Sequence, residues 1–147
     1  MFNRRLLMSG YAMLLAALIG CGERGPKIVP VEGTVLLDKK PIGKILVEFL
    51  PVAEGPRSFA ETDSQGHFKL MTDDGKRIGA SVGTHKVTLK DGALLGEKFL
   101  GRSGEGVDMS EGRKPRISVK LASPDTTPLS ITVEAGEKNE FSLIATK

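Results

Sequence analysis

An all-β domain, an antiparallel Greek-key sandwich of about seven strands, is what this sequence predicts. Three observations carry that expectation. Short runs between Val29 and Ala145 alternate apolar and polar residues, the pattern of strands with one buried face. Clusters of Asp, Gly, Pro and Asn punctuate the runs. No run keeps the 3.6-residue period of an amphipathic helix.

Each strand has its own signature. Val29, Val31, Gly33, Val35 and Leu37 share one face of the first, with Glu32 and Thr34 on the other. Asp38-Lys39-Lys40-Pro41 breaks it. Ile45, Val47 and Phe49 share a face in the second, which Pro51 ends. Residues 58–62 form a weaker third strand. Asp63-Ser64-Gln65-Gly66 reads as a hairpin turn with Gly66 in the positive-φ position, followed by a strand over 67–72 with Phe68 and Leu70 inward. Asp73-Asp74-Gly75 turns again, and residues 79–83 lead into a strand over 84–90 with Val87 and Leu89 inward. Residues 129–134 and 140–145 are the last two clear strands, with Ala135-Gly136-Glu137-Lys138-Asn139 as a hairpin loop between them. Residues 116–121 also alternate, through Ile117, Val119 and Leu121, before Ser123-Pro124 stops them. Phenylalanines 49, 59, 68, 99 and 141 are the bulky aromatics available to the core.

These residues carry a resemblance. VEGTVLLDKKPIGKILVEFLP (31–51) resembles the opening of the carboxypeptidase regulatory-like, or transthyretin-like, β-sandwich. TDSQGHFKL (62–70), GASVGTHKVTL (79–89) and SITVEAGEKNEFSL (130–143) are similar to its later strands and terminal hairpin. The likeness covers about residues 28–147 and implies architecture rather than activity, since its motifs are turn glycines and core positions. The related hydroxyisourate hydrolases end in Tyr-Arg-Gly-Ser and use histidines near their start. This chain ends Ile144-Ala145-Thr146-Lys147 and has no histidine before His67, so that activity is not implied.

The N-terminus belongs to a different kind of segment. Arg4 and Arg5 precede a largely apolar run from Leu6 to Gly20, too short for a spanning helix of about 20 residues and matching a cleaved export signal. It closes on Leu18-Ile19-Gly20-Cys21, and Cys21 is the only cysteine. The order resembles a bacterial lipoprotein signal peptide ending in a lipobox. That resemblance implies removal of residues 1–20 and acylation of Cys21, which uses up a thiol that would otherwise be left reactive. Residues 21–28 then form the lipidated cysteine and its tether, and 29–147 the domain. Gly22 stands where inner-membrane lipoproteins carry aspartate, so the resemblance points to the outer membrane. The partner it implies is membrane lipid, held by more than one acyl chain.

Composition narrows the function. The chain has 21 Lys and Arg against 18 Asp and Glu; without Arg4 and Arg5 the cations number nineteen, a net of +1. No Trp or Tyr follows residue 20, so neither a stacking ladder for bases nor the flat aromatic platform common in sugar sites is available. Nucleic acid is therefore excluded as a partner. A glycan stays the alternative to an envelope protein as the partner.

Catalytic and metal signals are thin. His85 falls on the inward side of its strand as a hydrogen-bonded core-edge residue, and His67 starts an exposed strand without ligand spacing around it. Asp63, Asp73 and Asp74 fall in turns, where carboxylates cap backbone N–H groups. S-x-x-K does not occur. The expectation is a non-catalytic binding or scaffolding protein of the cell envelope, with no cofactor and no metal. One segment stands apart: residues 91–115 hold six glycines in a loop too long to be a plain connection. Leu95, Phe99 and Leu100 within it are the candidate partner contacts.

Overall fold

A computed structural model of the chain describes residues 25–94, 113–136 and 138–147. The first alternating run is divided at Pro30 into β1 (Ile28–Val29) and β2 (Val31–Leu37), because proline has no N–H to give the ladder. Asp38 and Lys39 both have positive φ (51° and 64°), and the chain returns at once as β3 (Lys40–Pro41), as a two-residue type I′ turn requires. β4 (Ile45–Pro51) buries Ile45, Val47 and Phe49 completely. β5 (Ser58–Glu61), β6 (His67–Lys69) and β7 (Met71–Thr72) follow, then β8 (Ala80–Ser81) and β9 (Gly83–Asp91). After a 3-10 turn at Val119–Ala122 come β10 (Ser130–Val133) and β11 (Asn139–Ala145).

One sheet has the order β10-β9-β4-β5-β7, every pair antiparallel. In the other, β2 is central: β11 pairs along its whole length, while β3 and β6 share its opposite side. β1 and β8 form a short ladder of their own, Val29 opposite Ala80, which ties the leading strand to the start of β9. The fold is all-β, as the alternation predicts.

Four sequence expectations are corrected. β11 lies parallel to β2, Asn139 beside Val31 and Ala145 beside Leu37, so the sandwich is not wholly antiparallel. Residues 135–139 are accordingly no hairpin loop; they carry the chain from one sheet to the other. Asn139 closes this link, accepting from the Glu134 N–H (2.9 Å) and donating to its carbonyl (3.0 Å). The 63–66 turn likewise passes between sheets, from β5 to β6, and the run 67–72 divides between them. Finally, 116–121 is not a strand. Ile117 and Leu121, four residues apart, are buried around the 3-10 turn while Val119 between them is 69% exposed.

Phe49 joins the two sheets at the centre. Its ring lies 6.4 Å from Phe68, 6.3 Å from Phe141 and 5.7 Å from the His85 ring, all tilted, an arrangement aromatic pairs favour. Gly33 makes this possible. A Cβ there would lie 2.2 Å from the Phe141 carbonyl oxygen and 2.8 Å from the Phe68 ring.

The strands define two ends. β2, β5, β9 and β11 start, and β4, β7 and β10 finish, at the end where Gly25 enters; the loops there are 52–57 and 73–79. The far end carries 38–44, 62–66 and the residues flanking the 95–112 segment.

Candidate functional site

Cys21 and the lipobox residues Leu18, Ile19 and Gly20 lie outside the described residues, as do Leu95, Phe99 and Leu100. What the structure places is the foot of the 91–115 loop. Asp91 continues the inward face of β9 after His85, Val87 and Leu89, so its carboxylate is nearly sealed, its side chain 2% exposed. Arg116 answers it. The Arg116 peptide N–H donates to Asp91 Oδ2 (2.8 Å), and Nη2 donates to Oδ1 (2.6 Å) with Nε between both oxygens. The Ala93 N–H adds a fourth donor. Arg116 Nη2 also reaches the carbonyls of Gly43 (3.1 Å) and Lys44 (3.3 Å). Burial pushes the Asp91 carboxyl up, but the Arg116 donors and charge outweigh it and hold it below its ordinary range. The two feet of the loop are thus riveted together at the far end, and to the 42–44 turn beside them.

A second arrangement was not anticipated from the sequence. Ser81 Oγ lies 3.1 Å from His85 Nε2, and His85 Nδ1 lies 2.9 Å from the Gly83 carbonyl oxygen. A carbonyl only accepts, so Nδ1 carries the proton and Nε2 accepts from the Ser81 hydroxyl. The order hydroxyl, imidazole, orienting acceptor is that of an activated nucleophile. Burial lowers the His85 pKa, against the opposing Gly83 contact, and keeps the ring neutral. Yet His85 is 0% and Ser81 2% exposed, so a substrate has no way to the hydroxyl in this conformation. The pair satisfies two buried polar side chains between the β1–β8 ladder and Phe49. A sequence signal existed: Gly79-Ala80-Ser81-Val82-Gly83 fits G-x-S-x-G with His85 two residues beyond it, and Gly83, with φ of 123°, bends the strand between the two.

The outer face of the β2 sheet holds an open groove of about 370 Å³, lined by Glu32, Glu61, Asp63, His67, Lys69 and Glu140 among others. His67 is exposed there, as its position after the turn predicts. Most of these charges already have work. Asp63 Oδ1 accepts from the N–H groups of His67 (2.9 Å) and Gln65 (2.8 Å), and the first of these bonds chiefly lowers its pKa. Glu32 faces Lys69 (3.6 Å) and Lys138 (3.8 Å). Lys138 is also 2.9 Å from Glu140, which raises its pKa. Asp74 is occupied in its turn by the Thr72 hydroxyl (2.6 Å) and the Lys76 N–H (3.0 Å). Among the described residues, no group of three or more His, Cys, Asp or Glu is arranged to hold a metal ion.

No family model, curated protein or solved structure matches this chain. The family resemblance therefore rests on the motifs quoted above.

Proposed function

We propose that this chain is a lipid-anchored binding or scaffolding protein of the bacterial cell envelope, held by acylated Cys21 and without a reaction of its own. The observation that carries the reading is Leu18-Ile19-Gly20-Cys21 at the end of a short apolar run, with the first strand among the described residues at Ile28, seven residues on. Support for a non-catalytic role comes from the nucleophile-like pair among the described residues, Ser81 and His85, being shut inside the core. Support for a presented surface comes from the loop foot, where a nearly sealed carboxylate and a guanidinium fix both ends of a long glycine-rich segment. Outer-membrane residence follows from Gly22 in place of aspartate.

The test is to express the full chain and its Cys21→Ala variant in a bacterial host. The wild type is expected in the membrane fraction, with a mature N-terminus whose mass includes a diacylglyceryl group. The variant should keep residues 1–20 and carry no lipid. An unmodified Cys21 in the wild type overturns the anchor. In-cell crosslinking from the anchored protein is expected to capture envelope proteins. A glycan bound in an array screen, with no protein crosslinks, would replace that partner class.

A further inference from the structure

Six large apolar side chains are prominently exposed among the described residues, and four gather toward the end where Gly25 enters: Val52 (67%), Ile78 (63%), Met71 (41%) and Val82 (37%). Separate elements present them around the entering chain. The Val82 N–H donates to the Lys27 carbonyl (2.9 Å), which puts Val82 against the entering chain. The Val52 N–H donates to the Thr84 carbonyl (2.9 Å), and a Cβ on Gly55 would lie 3.5 Å from Pro26, so this loop flanks the entry too. Ile78 bridges to Met71 and borders Pro30. The other two, Val119 and Ile144, lie toward the far end, where the Ser118 N–H meets the Thr146 carbonyl.

Charge around the entry is mixed. Lys27, Arg57, Lys76 and Arg77 carry the positive side. They are interleaved with Glu54, Asp73, Asp74 and Glu134, and Asp73 faces Arg57 at 3.8 Å. A surface with apolar tips and balanced charge suits a neutral headgroup layer, which takes up apolar side chains at the acyl boundary. It does not suit a strongly charged partner.

We infer that this end of the sandwich rests on the headgroup layer of the anchoring membrane, with Val52, Ile78 and Val82 entering it. The inference rests on the lipid-anchor reading, which supplies the geometry. Three residues lie between Cys21 and Gly25, and the four steps from one Cα to the other reach at most about 14 Å even when fully extended. So short a link holds the entry end at the surface. The far end, with the riveted foot of the 91–115 loop, faces away from the lipid.

The experiment uses the mature lipidated protein in phosphatidylcholine vesicles. Val52→Cys, Val82→Cys and Ile144→Cys variants are labelled with an environment-sensitive maleimide fluorophore. Acylated Cys21 has no free thiol, so wild-type protein should take up no label. Lipid spin-labelled at the headgroup is expected to quench the fluorophore at 52 and 82 and to spare it at 144, with no change when salt is raised. Equal quenching at all three positions, or none at 52 and 82, overturns the seating while an unlabelled wild type leaves the anchor standing. Labelled wild-type protein instead removes the anchor, and the seating with it.

Discussion

His85 is the residue on which environment acts most plainly. Its ring is fully buried against Phe49 and tied to Ser81 and Gly83, and burial lowers its pKa below the ordinary value near 6.5. In the window beneath that value the unfolded chain binds a proton that the folded chain refuses. Stability therefore rises with pH across the window and falls as pH drops through it. A urea midpoint measured on residues 22–147 should decline between about pH 7.5 and about pH 5, and His85→Gln should flatten that decline. A slope unchanged by the substitution would mean that another group carries it. Phe49 makes the complementary case for packing. It is completely buried and touches three other rings across both sheets, so Phe49→Ala should cost about 3–5 kcal/mol in denaturant unfolding. A loss under about 1 kcal/mol would contradict its place at the centre.

At the scale of elements, the Asp91–Arg116 rivet decides how the long loop behaves. Asp91→Asn keeps the shape but removes the charge from bonds worth about 1.5–3 kcal/mol when one partner is ionised. The expected result is a stability loss of about 2 kcal/mol and faster trypsin cleavage after Arg116, with cleavage after Arg57 unchanged. If both sites speed up together, the foot is no independent lock. Asp91 could have been read from the sequence, since it continues the buried phase of 85, 87 and 89 and a charge there demands a partner; which residue answers it could not. The strands themselves were legible for the same reason, each alternating run having one face to hide. Their pairing was not. Turn residues at 63–66 and 135–139 specify a local change of direction and carry no information about which sheet the next strand joins. Residues 116–121 misled because Ile117 and Leu121 fit a strand face and a helical turn equally well; only the exposure of Val119 separates the two. Gly79–Gly83 marks Ser81 through its G-x-S-x-G spacing, but the partnership with His85 depends on the bend at Gly83 and is not legible in the sequence. The lipobox reading came from residue order alone and owes nothing to the fold.

For the molecule as a whole, the full-length parallel ladder between β2 and β11 sets the order of events as the chain is made. β2 emerges early, and its partner is the last strand, roughly a hundred residues behind; a pairing this distant is slow to close. Until β11 arrives, one side of β2 is an open edge of seven residues with unpaired peptide groups, the kind of edge that recruits other chains. Deleting 139–147 should therefore leave a protein that collects in aggregates, whereas a soluble, β-rich product of that length would show the ladder to be dispensable. β11 thereby works as a completion signal: a chain that carries β2 but stops before or within β11 is left with a sticky edge and marks itself as unfinished.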